Sequence, residues 1–372
     1  GDLDMVVGQG DGTLNSFENT AARGQTITVN VSAEAENFTG TANADTLNGD
    51  SDANVMDGLG GADSLFGGAG ADTLNGGKGY DTLEGGKGAD LLDGGKGEDI
   101  LEGGNGSDLL HGGSGNDLVS GGKGDDTLNG DAGEDTLNGG DDFDTVLFSG
   151  DIDTTVDLRI TAVQDTGHGM DVLSGIEALE TGSGADALTG TDDANHFVSG
   201  EGKDTILAEG GDDTVTAGKG DDDVNGGLGN DDLTGGKGDD SLFGGKGADV
   251  LRGNKGRDVL DGYKGADALF GGDGGDWLDG GKGDDLLTGG VGNDNFIFTS
   301  GDGNDTVNDF DALNSKENIN LAAVLEIVDF ADLTANHMVQ VGNDVVIDDG
   351  DALTITLLNV DLGDLGGNDF IF

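Results

Sequence analysis

From Asp45 to Asp144 an aspartate recurs every ninth residue, at Asp63, Asp72, Asp81, Asp90, Asp99, Asp108, Asp117, Asp126 and Asp135, with Asn54 as the one exception. The beat returns at Asp186, Asp204, Asp213, Asp222, Asp231, Asp240, Asp249, Asp258, Asp267, Asp276, Asp285 and Asp294, broken only by Asn195. The unit reads Gly-Gly-x-Gly-x-Asp-x-U-x with U apolar, and residues 85–93 are a clean copy. A carboxylate spaced this way in glycine-rich chain is suited to holding a hard cation. Glycine leaves backbone carbonyls bare, and calcium takes six to eight oxygens in a forgiving geometry. Two stacked turns, each giving carbonyls and one carboxylate, could complete such a shell.

Positioning those oxygens requires a repeating element. Positions one to six are turn chemistry, because glycine at one, two and four tolerates positive φ and close carbonyl approach. Positions seven to nine make a short strand with position eight pointing inward. Two units then form a coil of 18 residues, unit n stacks on unit n+2, and parallel strands build two facing sheets. Asp72, Asp90, Asp108 and Asp126 are expected along one edge, and Asp63, Asp81, Asp99 and Asp117 along the other. The absence of proline agrees, since every rung needs its backbone N–H.

Composition makes the metal a condition of folding. One inward apolar residue per nine buries little surface against the entropy of ordering nine residues. Acidic residues number 76 against 16 basic ones, a net charge of −60. Twelve units in the first array and 13 in the second allow up to about 21 stacked sites, and filling them all would bring the charge to about −18. The expectation is an expanded chain without calcium and a folded rod with it.

The acidity argues against nucleic acid or an anionic membrane as partner. No apolar run is long enough for a membrane helix, and without cysteine there is no disulfide framework. No Sec-type leader is read at Gly1, and because residue 1 is not Met an upstream domain stays open. Residues 1–39 are read as a lead-in, with a strand over residues 26–31, and 40–148 as the first array. Residues 149–180 are an enlarged coil within one rod, with strands over 155–160 and 176–179, and 181–298 are the second array. Residues 299–372 are a β-rich cap, with strands over 338–341, 345–347 and 353–358 and a short helix around 322–327. An end cap is expected because an open solenoid end leaves strand groups unpaired.

This nonapeptide resembles the calcium-binding repeat of RTX proteins. About two thirds of the chain resembles that family, bacterial proteins exported by type I secretion. The final residues, Asp369-Phe370-Ile371-Phe372, resemble its uncleaved C-terminal secretion signal. The resemblance implies an all-β fold, a right-handed parallel β-roll, secretion, and partners in calcium and the type I machinery. It also implies a ligand set. Carbonyls of positions one and three serve one ion, those of two and four the next, and the position-six Asp bridges both. Carried over, Asp81 with Asp99 and Asp240 with Asp258 flank shared ions. Gly77 and Gly79, Gly86 and Gly88, Gly95 and Gly97, Gly104 and Gly106, Gly236 and Gly238, and Gly245 and Gly247 supply carbonyls. At position two Asn254 is expected to adopt the left-handed conformation readily, whereas Leu59 and Tyr263 are expected to be costlier and to mark weaker sites.

Ten of the 12 lysines fall at position three, read as charge compensation, with a cationic stripe for anionic glycans as the sharper alternative. Leu91, Ile100, Leu109, Leu118 and Trp277 at position seven are read as outward strand formers, and the four histidines as exposed filler. No zinc-protease, esterase or P-loop motif accompanies them, so no catalytic role is expected. The reading is a secreted calcium-binding β-roll acting as a structural, surface or adhesive module, with extracellular polysaccharide or the cell surface as partner. The alternative is the C-terminal region of a larger secreted protease, lipase or polysaccharide epimerase.

Overall fold

A computed structural model describes residues 3–6, 26–30, 37–314 and 316–372. Val31 of the expected first strand and most of the lead-in lie outside the described residues. The chain forms two compact units, Gly1–Glu180 and Thr181–Phe372. Both are nearly all β and built of parallel coils, a β-solenoid architecture.

In the first unit each strand pairs with the strand two units on. Leu91↔Leu109 and Leu92↔Leu110 are in register on one sheet, Ile100↔Leu118 and Leu101↔Val119 on the other, an offset of 18 residues. Position eight points inward throughout: Leu74, Leu92, Leu110 and Leu128 face Leu65, Leu83, Leu101 and Val119, all essentially fully buried. The stack extends towards the N-terminus, where Ile27–Asn30 pairs with Thr46–Asn48 and Asn37–Thr39 with Val55–Asp57.

The strands are longer than expected. Leu91–Lys96 runs from position seven to position three of the next unit and alternates in burial, so Gly94 at position one is a second inward position beside Leu92. Two of the turn's glycines are therefore strand residues. Between the arrays, Thr155–Asp157 and Ala178–Glu180 form as short strands, joined by an unexpected Met170–Ser174 that takes the next rung on Thr136–Asp141.

In the second unit the same pairing runs from Ala187–Thr189 and His196–Val198 to Asn295–Thr299 and Gly303–Val307. Leu353–Leu357 stacks on Gly303–Val307 and continues into an antiparallel meander with Asp344–Asp348 and Met338–Val341, as expected. The short helix expected around 322–327 does not form. Ile319 and Leu321 alternate inward, so Asn318–Ala323 becomes a rung on Asn295–Thr299. One helical turn follows at Phe330–Asp332, its first turn capped by the Asp329 side chain, before a π-type turn at Leu333–His337. Phe370–Ile371 pairs with Asn318–Ala323 as the outermost rung there.

Candidate metal sites

The position-six aspartates are among the most buried polar residues, as the alternation requires: Asp81 and Asp99 are each 1 % exposed. They stack 18 residues apart. The Asp72 N–H donates to Asp90 Oδ1 at 2.7 Å, Asp90 to Asp108 and Asp108 to Asp126 at 2.8 Å each. On the opposite edge Asp63, Asp81 and Asp99 donate in the same way to Asp81, Asp99 and Asp117. In the second unit Asp240 N–H donates to Asp258 Oδ1 at 2.9 Å. Each carboxylate is thus fixed at one oxygen by a backbone amide of the preceding coil.

The other oxygen has no such partner. Among the described residues, 20 of the 23 nonapeptide aspartates bury an Oδ2 that accepts no hydrogen bond. A buried ionised oxygen without a partner is costly, and columns of them demand positive charge. Burial first, and then stacked neighbours, raises these groups towards neutrality. Asp63, Asp126, Asp135, Asp213, Asp258 and Asp267 are pushed up to about 7. Asp99 rises to about 6 through burial and then the charges of Asp81 and Asp117.

The glycines shape the space beside these oxygens. A Cβ on Gly85, at position one, would lie 2.5 Å from Asp90 Oδ2 and 2.8 Å from the carbonyl oxygen of Gly103 in the next coil. That point, open only because residue 85 is glycine, lies within calcium-to-oxygen distance of the carboxylate and a little beyond it from the carbonyl. The residues present therefore fit a hard divalent cation. Gly86 and Gly88 have φ of 106° and 138° and bring their backbone against the carbonyls of Gly68 and Gly70. No cluster of three or more His, Cys, Asp or Glu side chains suited to a metal occurs among the described residues.

At the array starts the protein supplies its own partner. Asp45 Oδ2 accepts the Thr41 N–H at 2.6 Å and its hydroxyl at 2.7 Å, and the Thr181 hydroxyl donates to Asp186 Oδ2 at 2.5 Å. Asn54 and Asn195 accept from the amides of Asp50 and Thr191.

Leu59, Asn254 and Tyr263 do adopt positive φ, at 69°, 73° and 64°, as do Asp131 and Glu209 at the same repeat position. Where the occupant is Leu59, Asp131 or Tyr263, an Asp or Asn two residues earlier accepts its N–H, which steadies the turn.

Four further acids occupy the position-six slot. Asp171 Oδ1 accepts the Asp135 N–H at 2.8 Å, 36 residues away, and its other oxygen accepts the Thr166 hydroxyl. Its signal was legible, because residues 167–173 read Gly-x-Gly-x-Asp-x-Leu in phase with Asp135. Asp305 accepts the Asp285 N–H at 3.1 Å within the one repeat beyond residue 298. Glu177 accepts the Asp144 N–H at 2.9 Å, while Glu317 is a buried acid beside Asn318, which pairs with Asn295. Neither glutamate follows the nine-residue spacing. The four histidines, expected to be exposed, are half-buried; His168 packs on Phe148 with ring centroids 5.0 Å apart.

A family model for the RTX calcium-binding nonapeptide repeat matches in overlapping copies across residues 32–146 and 173–307, two thirds of the chain. A search of curated proteins found no match.

Proposed function

Because the chain belongs to the RTX calcium-binding nonapeptide repeat family, we propose that it is a secreted protein whose folding is triggered by calcium after type I export, and that the folded coils serve as a structural, surface or adhesive module. The observation that carries this reading is the column of buried, unpartnered Asp Oδ2 atoms along each edge. Bound calcium supplies the positive charge those columns need and ties consecutive turns together. The chain's own part is to hold each Oδ2 in place through the Oδ1 hydrogen bond from the preceding coil. Position-one glycines keep the space beside it open. Where calcium is scarce, inside the cell, unbalanced carboxylates oppose stacking and keep the chain open for export. The C-terminal residues would then be free for the exporter; in the folded protein Phe370 is buried against Phe330.

The test is far-UV circular dichroism of the metal-stripped chain during calcium titration. A β spectrum should appear cooperatively at millimolar calcium, with magnesium a poor substitute because it demands a tighter octahedron. A β spectrum that persists unchanged in chelator would rule the reading out.

A further inference from the structure

We propose that one outer sheet face of the second unit is a binding trench for a neutral, polyhydroxylated glycan chain. This names a ligand for the surface-module reading above and rests on it. The trench follows from the repeat. Positions nine, two and three point outward along each long strand, and glycine at position two leaves a furrow between the other two columns. In the first unit such a furrow, floored by Gly86, Gly104, Gly122 and Gly140, is an open groove of about 620 Å³.

In the second unit the corresponding furrow has different chemistry. Lys246, Lys264 and Lys282 are in register on consecutive coils and form one wall. All three are exposed, and among the described residues none lies within ion-pair distance of a carboxylate, though Lys282 acts electrostatically on Asp302; Lys219 and Lys255 on the other sheet pair with Glu201 and Asp273. The opposite wall, about 10 Å away at three residues' rise, carries Phe243, Asp261 and Asp279 in register. One wall offers ammonium donors; on the other, the carboxylates of Asp261 and Asp279 offer acceptors, with one oxygen of each already taking the N–H of Tyr263 or Gly281. Ammonium and carboxylate groups nearly balance, so a polyanion gains little here on a chain of net charge −60. Hydroxyl groups, which donate and accept, match both walls.

The floor carries the second observation. Tyr263 replaces the glycine found at Gly245 and Gly281 in the same column, at φ 64°, and is 50 % exposed against Phe243 with ring centroids 6.2 Å apart. A tyrosine in left-handed backbone costs stability and buries little in return, and strain of this kind collects at functional sites. An exposed ring with a polar tip on a flat sheet provides apolar stacking for a sugar ring. Trp277, read from the sequence as outward filler, is 53 % exposed beside the acceptor wall and is the chain's single tryptophan.

The experiment is a titration of the calcium-saturated chain with cellohexaose, mannohexaose and a β-1,3-glucan hexamer, read by Trp277 fluorescence and calorimetry. At least one should bind, and Tyr263→Gly should weaken it at least tenfold. That variant restores the repeat's own glycine, so unfolding cannot explain the loss. Lys264→Gln should weaken the same ligand several-fold with little dependence on salt. No binding by any of the three, or binding unchanged in Tyr263→Gly, overturns the proposal. Preference for a hexauronate or for polyaspartate overturns it in favour of an acidic glycan or an acidic protein. If calcium-dependent folding is intact while every glycan fails, the trench is wrong and the folding proposal stands.

Discussion

In the first unit every nonapeptide from Gly40 to Gly139 begins with glycine, whereas the second unit opens with Thr181, Ser199, Ala208 and Ala217 at that position among its first five repeats. The carboxylates of Asp213 and Asp222 are as buried as those of Asp90 and Asp99, and their Oδ2 atoms equally lack a hydrogen bond. What differs is the space beside them. The methyl groups of Ala208 and Ala217, both fully buried, occupy the inward position that Gly85 and Gly94 leave open. Ser199 instead turns its hydroxyl to the Ala217 carbonyl at 2.9 Å, using an oxygen that stacked turns would otherwise present. Burial of the carboxylate and open space beside its Oδ2 are thus separable properties, set by positions six and one.

The largest contrast should appear on removing calcium. In chelator, amides of residues 64–141 should lose exchange protection together, while residues 187–207, beside the self-satisfied Asp186 and Asn195 turns, should exchange more slowly. Hydrogen exchange by mass spectrometry reads both regions in one sample; uniform loss would erase the distinction.

Filling the cradle should come next. A Cβ on Gly94 would lie 2.6 Å from the Gly112 carbonyl and 2.8 Å from Asp99 Oδ2, so Gly94→Ala should cost about 1–3 kcal/mol by overpacking and raise the calcium midpoint. Ala217→Gly should move the midpoint the other way for the second unit's opening coils. Shifts of the same sign in both variants would break the comparison.

Removing a carboxylate should have a graded effect. Asp99→Ala deletes an unpartnered oxygen between two stacked neighbours, whereas the Asp45 oxygen is already engaged by Thr41. Asp99→Ala should therefore raise the calcium midpoint several-fold more than Asp45→Ala, and the loss should spread to adjacent coils. Matching midpoints would mean the sites act independently.

The smallest effect is with pH. Asp63 and Asp126, near 3.8 when unfolded, sit at about 7 in the metal-free fold because burial disfavours their charge. A raised carboxyl contributes stability that is fully present below its unfolded value and is lost as pH rises through the folded one. The metal-stripped chain should gain β signal as pH falls from 8 towards 4, while calcium affinity weakens because protons compete for the same oxygens. Circular dichroism that is flat across that window would contradict the assigned burial.

Much of this was legible because it is local or periodic. Nine-residue spacing with an apolar position eight gave the 18-residue coil and the two inward rows from Leu65 to Leu128. The mismatch of Tyr263 and Leu59 with a glycine slot gave their positive φ. Glu177 and Glu317 were not legible, since the slot they fill is fixed by strands pairing 33 and 23 residues away rather than by the repeat. The expected helix near 322–327 failed for a related reason: Ile319 and Leu321 had a sheet edge to complete, and propensity yields to such a rung.

By itself, then, the sequence determined the 18-residue coil, its inward position-eight residues and the two stacked rows of aspartates, all consequences of period. Only the tertiary structure decided which oxygen of each carboxylate is engaged, which turns satisfy themselves through Thr41 or Thr181, and which outward side chains share a face. Those depend on what the neighbouring coil presents across an 18-residue register, and a hydrogen bond between coils exists only once both coils are in place.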